Sequence, residues 1–365
     1  MPYGWIARIL ILAALLTGCA GGAPATSDDS GLDTDATPDL AADLLSTPTP
    51  TRRVPAEWEP HTGTWMQWPG PWEATARSAF ADIIAVVGTY EPVHLLVTNE
   101  AARAEAEDFL ADRGVLSDDI HWHLIPVDSS WMRDNGPIYV VEDGALRLQD
   151  WSFDAWGGNF GPEIPYTADD AVPLHVGASL GLPVDDRGGY VLERGNLEFN
   201  GGGTLILNWD CQDNRNPGMT AAEHEAILAE AFGLTRIIWA YGHDATDGTT
   251  GHIDGVARFV DADTIAIAQT TWGAQTEDAL AAASAAAGLE IVRVPCPGET
   301  DYMNWLVGNG FVVAMAFGDA PADAAAKALL EELFPGRDVH MIDANTLWTN
   351  GGGIHCVTND QPAAP

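Results

Sequence analysis

From Val93 onward the chain alternates short apolar runs of strand length with Ala-rich amphipathic stretches of helix length, a rhythm that restricts it to a mixed α/β fold. Residues 93–98, 138–141, 203–208, 236–240, 264–269, 291–294 and 311–316 are expected strands. Helices are expected over 74–87, 100–112, 220–232, 276–287 and 321–333. The last begins with Pro321, at a position where the missing N–H costs nothing. Several passages run strand, strand, helix, so a strict strand-helix-strand succession is not expected. No GxGxxG or P-loop opens any of these helices, and a nucleotide cofactor has no support.

Residues 1–18 carry one basic residue, Arg8, then an apolar run over 9–16, and lead into Leu16-Thr17-Gly18-Cys19. The run is far shorter than the roughly 20 residues a membrane-spanning helix needs, and small residues lie where a signal peptidase would cut. This reads as a lipoprotein signal peptide, with Cys19 as the lipidated first residue of the mature chain, anchored to a membrane without spanning it. An ordinary cleaved signal with a chance cysteine is the alternative. Ala20 rather than Asp follows the cysteine, which in a host with two membranes points to the periplasmic face of the outer membrane or the cell surface. Residues 19–53, rich in Ala, Asp, Thr and Pro without periodicity, are expected to be a disordered acidic tether. Residues 54–365 then form one catalytic domain, since no second segment of that composition interrupts them.

The net charge of −37 makes nucleic acid an implausible partner and draws cations toward the surface, although most of it is plain solvated surface. Four cysteines are present: Cys19, Cys211, Cys296 and Cys356. With Cys19 carrying lipid, either Cys211 and Cys296 pair or all three remaining residues are thiols; Cys356 is free in both versions. No CxxC pair or Cys/His zinc spacing occurs, so no metal is expected.

Two short segments carry groups capable of chemistry. In Gly251-His252-Ile253-Asp254-Gly255, an extended backbone would point His252 and Asp254 into the same space, a proton carrier beside a fixed negative charge. In Trp131-Met132-Arg133-Asp134-Asn135-Gly136-Pro137, a buried aspartate beside an indole suits a planar guanidinium, through paired hydrogen bonds and an aromatic wall; a structural ion pair with Arg133 is equally consistent. A third, Gly351-Gly352-Gly353-Ile354-His355-Cys356, sets a cysteine after a glycine run. On an extended backbone His355 would face away from Cys356.

These segments stand in order with Glu57-Trp58-Glu59-Pro60-His61, Thr64-Trp65-Met66-Gln67-Trp68-Pro69, Asp150 to Gly158, Leu192-Glu193-Arg194-Gly195-Asn196 and Asn214-Arg215-Asn216-Pro217. The set resembles the agmatine deiminase and bacterial peptidyl-arginine deiminase family of the guanidine-modifying (pentein) superfamily, over nearly all of the chain after the tether. The resemblance implies a five-bladed α/β propeller of pseudo-repeated ββαβ units around an active-site channel, with no cofactor. It makes Cys356 the nucleophile, His252 the general acid/base, Asp134 and Asp254 the guanidinium-binding carboxylates, and Glu193 the residue that orients His252 and faces the substrate. Trp131 and Gly353 join the substrate-binding set. The implied reaction hydrolyses a small cationic guanidine or an arginine-containing peptide through a Cys-thiouronium: agmatine to N-carbamoylputrescine and ammonia, or arginine to citrulline. Two features depart from the family pattern: Arg194 stands where many members have glycine, and Asp154 where asparagine is frequent. Both bear on the pocket wall and the substrate. A non-catalytic binding protein and a cysteine peptidase are the competing classes; the second gives no reason for Asp134 and Asp254.

Overall fold

A strand that leaves a hairpin through a helix returns parallel to the strand it left, and this chain repeats that pattern along its length. The structure is a computed structural model that describes residues 52–270 and 274–364. The expected signal peptide, Cys19 and nearly all of the expected tether lie outside the described residues.

Ile138–Glu142 pairs antiparallel with Ala145–Ser152, the helix Val172–Leu180 follows, and Val184–Val191 pairs parallel to the second strand. Glu198–Phe199, Thr204–Asn208, the helix Ala221–Phe232 and Arg236–Ala240 repeat the arrangement. So do Ala257–Phe259, Thr264–Gln269, Ala274–Ala286 and Glu290–Pro295, and Leu306–Gly308, Phe311–Ala316, Ala320–Leu333 and Asp338–Asp343. The fifth sheet is assembled from distant parts of the chain. Asn359–Pro362 pairs antiparallel with His61–Gln67, which continues through the helix Arg77–Val87 to Val93–Val97 and through Glu100–Asp112 to Ile120–Leu124. Among the described residues the strands form these five separate sheets.

Thr204–Asn208 and Phe311–Ala316 are buried on both faces, because one face meets the strand's own helix and the other meets neighbouring structure. Phe80, Ile83, Ile84 and Val87 line the buried side of Arg77–Val87 and cluster with Leu95, Val97, Phe311 and Val313. Burying each such side chain contributes about 1.5–3 kcal/mol. Ala221–Phe232 begins with a reciprocal capping box between Thr220 and Glu223 and ends at Gly233, φ 67°. A Cβ at Gly233 would lie 1.9 Å from the Arg52 carbonyl oxygen.

Arg52–Arg53 corrects the expected tether boundary. Both residues form a short strand, Arg52 opposite Glu142 and Arg53 opposite Val141, because Arg52 finds Glu142 and Arg53 finds Glu59 as ionic partners. The helix expected over 74–87 is likewise split: a 3-10 segment Pro71–Ala76 precedes the α-helix Arg77–Val87.

Candidate active site

Cys356 is carried on one 3-10 turn, His355–Val357, directly after the glycine run. The glycines are required by crowding: a Cβ on Gly352 would lie 2.4 Å from the Trp131 ring, and one on Gly353 2.3 Å from Asn304 Oδ1. Asn304 holds the turn. Its Oδ1 accepts from the backbone N–H of His355 at 2.9 Å and of Cys356 at 3.3 Å, and its Nδ2 lies 3.3 Å from Cys356 Sγ. Asp254 Oδ2 lies 3.8 Å from the same sulfur and 2.8 Å from His355 Nδ1. His355 reaches on to Glu57 Oε2 at 2.9 Å, so its ring bridges the buried Asp254 and the partly buried Glu57 and fixes Asp254.

Asp134 comes from the one-turn helix Met132–Asn135. Trp156 Nε1 donates to its Oδ2 at 2.8 Å, and the Gly195 N–H to its Oδ1 at 3.2 Å. His252 Nδ1 stands 3.6 Å from that Oδ1, while its Nε2 lies 2.6 Å from Glu193 Oε2. A Cβ on Gly195 would meet His252 Nδ1 at 2.5 Å and Asp134 Oδ1 at 2.6 Å, so a side chain there is excluded. Arg215 clamps Glu193 with two parallel bonds, Nε to Oε1 at 2.6 Å and Nη2 to Oε2 at 3.0 Å.

The electrostatics follow from burial and these neighbours. Burial, with Asp254 and Asp134 close by, holds the Cys356 thiol well above its ordinary range, against Asn304 and the Gly353 backbone, which favour the thiolate. Asp134 is pushed up to about 6, chiefly by burial, with Glu193 and Asp254 adding and His252 opposing. Burial disfavours a charged His252, but Asp134, Cys211 and Glu193 outweigh it and keep the ring protonated well above the usual histidine range. These surroundings favour a neutral thiol at Cys356 and a protonated ring at His252.

Cys356, Asp134, Trp131, Trp156 and Thr249 line a cleft of about 500 Å³ whose outer part is formed by Trp72, Phe160, Ile164, Asn350 and Gly351. Among the described residues that line it, Asp134 is the only acid and none is Lys or Arg.

Several expectations change in detail. The segment after His252 is a 3-10 turn, Ile253–Gly255, and not a strand; the two side chains therefore diverge, His252 toward Asp134 and Asp254 toward Cys356. His355 faces away from the cleft as expected, but on a turn rather than an extended segment. Glu193 holds His252 Nε2, and both its oxygens are engaged by Arg215 and His252 rather than presented to the cleft. Gly353 packs on Asn304, and Gly351 takes its place in the cleft lining. Arg194 turns away from the cleft, toward Asp360. Cys211, Cys296 and Cys356 are all free thiols. Asn304, Arg215, Trp156 and His355 were not assigned roles from sequence. The last three lie inside the ordered segments that carried the family resemblance; Asn304 has no surrounding signal.

Glu193, Cys211 and His252 bring three potential metal-ligating atoms within 4.8 Å of one another. Arg215 already covers both Glu193 oxygens and sets a fixed positive charge where a cation would sit.

This combination of fold and site is that of the guanidine-modifying hydrolases. A model of the Porphyromonas-type peptidyl-arginine deiminase matches residues 53–362. The agmatine deiminase of Stutzerimonas stutzeri is 34% identical over 361 residues, covering 85% of this chain and 95% of that protein. The solved agmatine deiminase of Enterococcus faecalis superposes with a TM-score of 0.77 at 24% identity, covering 89% of this chain and 100% of that one. A putative arginine deiminase from Porphyromonas gingivalis gives 0.71 at 26%, covering 86% and 99%. The chain belongs to the Porphyromonas-type peptidyl-arginine deiminase family.

Proposed function

We propose that the protein is an agmatine deiminase-like guanidine hydrolase, converting agmatine and water to N-carbamoylputrescine and ammonia. The observation that carries this reading is the cleft itself: nucleophile and carboxylate at its floor, aromatic walls, and no basic residue along its length. A free arginine would leave its α-carboxylate without a partner there, whereas agmatine has none to place. The five sheets support a finer reading of the fold as a five-bladed α/β propeller. Residues 1–18 and Cys19 support an exported, lipid-anchored enzyme.

The guanidinium docks against Asp134, with Asp254 close by beside Cys356, and the two negative charges keep it protonated and so keep its carbon electrophilic. Its positive charge offsets the two carboxylates that hold the Cys356 thiol neutral, so with substrate bound the thiol releases its proton to solvent and the thiolate forms, His252 remaining protonated. Sulfur attacks the central carbon; His252 gives its proton to the departing nitrogen, and ammonia leaves. The neutral imidazole then takes a proton from water, hydroxide adds to the thiouronium carbon, and the carbon–sulfur bond breaks to release the ureido product.

The family model favours a second reading, arginine within a peptide, whose carboxylate is masked in an amide. Ammonia and ureido product are to be measured from agmatine, free arginine and an arginine peptide, with wild type and Cys356→Ala. Turnover of agmatine by wild type alone is the expected result. Preference for the peptide would select the second reading, and turnover of no guanidine would refute both.

A further inference from the structure

Ala155, Trp156, Gly157 and Gly158 all have positive φ, at 57°, 58°, 68° and 72°. The two glycines take this backbone without a steric cost. An alanine and, above all, a tryptophan do not, and a bulky residue so placed persists only where its surroundings enforce it. Both ends of the segment are tied. Asp170 Oδ1 accepts from the Phe153 N–H at 2.7 Å, and Asn159 Nδ2 donates to the Gly248 carbonyl at 3.0 Å and to Thr250 Oγ1 at 2.9 Å. Within it, Asp154 Oδ1 accepts from the Gly157 N–H at 2.7 Å, and the Ala155 carbonyl from the Gly158 N–H at 3.1 Å. The buried Trp156 ring stands edge-on to Phe153 and to Phe160, each with its centroid 5.2 Å away. What this turn delivers is one polar atom, Trp156 Nε1, placed 2.8 Å from Asp134 Oδ2 in the wall of the cleft.

On the reading of this site as a guanidine hydrolase, we propose that Trp156 is a positioning residue: the strained turn drives its indole N–H onto Asp134, so that the carboxylate stands charged and oriented before a guanidinium arrives. Asp134 is otherwise in a setting that opposes its charge. Glu193 and Asp254 act on it as like charges, the nearby Cys356 thiol offers it no positive charge, and burial adds to both effects. The groups that favour the carboxylate are His252, with Nδ1 at 3.6 Å, the Gly195 N–H at 3.2 Å and the indole. Of these, His252 gives up its proton during turnover. An indole is a donor only and keeps its proton, so Trp156 and the Gly195 backbone are the partners that persist through the cycle.

Trp156→Phe keeps an aromatic ring against Phe153 and Phe160 and removes the donor. In the full chain with agmatine, the acid limb of kcat/KM should move up by about one to two pH units, a deficit of about 5- to 50-fold near pH 6 that shrinks as the pH rises toward about 9. A second measurement needs neither that variant nor turnover. In wild type the Trp156 indole N–H resonance, assigned through backbone connectivities, should shift with a titration centred at about 6, where Asp134 takes up its proton. The titration should vanish in Asp134→Asn. A loss of kcat/KM in Trp156→Phe that is the same at every pH would make the ring a packing element alone and overturn the proposal. So would an indole resonance that stays fixed in wild type between about pH 5 and pH 7. Turnover of no guanidine would bear on the reaction only, because the indole titration still decides what Trp156 does to Asp134.

Discussion

Asp134 is the residue on which the pH dependence should turn. Its carboxyl is pushed up to about 6, so the charge that binds a guanidinium is present above that value and lost below it. For agmatine, kcat/KM should therefore fall about tenfold per pH unit below pH 6. A profile flat to pH 5 would show that Asp134 does not bind the cation. Gly195 gives a second test, because a Cβ there would press on both His252 and Asp134. Gly195→Ala should cost about 100-fold in kcat/KM by displacing both groups, with the circular dichroism spectrum unchanged; wild-type kinetics in that variant would contradict the geometry. Cys356, His252, Asp134 and Asp254 stand out in the sequence as candidates because groups capable of chemistry are concentrated there in short motifs, and the fold brings them close together. Asn304 does not: an isolated asparagine between Met303 and Trp305 gains meaning only when the chain folds it onto the nucleophile's turn.

At the scale of elements, the helices and most central strands were legible because burial imposes a period on them. Glu100–Asp112, Arg236–Ala240, Thr264–Gln269 and Phe311–Ala316 lie where their apolar patterns place them. The elements that carry the site were not, since Ile253–Gly255 and His355–Val357 are three residues each and too short to show a period. Val184–Val191, with two glycines and three charged residues, also lacks a strand pattern; it forms as the parallel neighbour of Ala145–Ser152. Capping offers a check on the peripheral elements. Thr220→Ala should lower stability by about 1 kcal/mol in chemical denaturation without altering kinetics, because the Thr220–Glu223 box is exposed and outside the cleft. A change in KM would mean that this helix is coupled to the site.

Over the whole molecule, stability should be acid-sensitive in the sheet that joins the two ends of the described chain. His94 Nδ1 and His123 Nε2 lie 2.9 Å apart on neighbouring strands, and His94 stacks on Trp65 with ring centroids 4.2 Å apart. Burial, with His123 and His121 adding, lowers His94 to about 3; burial, with His121 adding, lowers His123 to about 4. Both values lie below the unfolded one near 6.5, so the unfolded chain binds more protons in between. Stability is whole above about pH 6.5 and is lost as pH falls toward 3–4. His123→Gln should flatten the fall of the unfolding midpoint with pH across that window; an unchanged slope would assign the acid sensitivity to other groups. The same sheet has a kinetic consequence. Pro362 pairs with His61 across most of the sequence, and the strand that makes this pairing follows the Cys356 turn by only a few residues. Closing so long a loop is slow compared with forming a local hairpin or helix. In refolding, far-UV ellipticity should therefore recover first and turnover later, with the Cys356 turn settling only when the two ends of the fold meet.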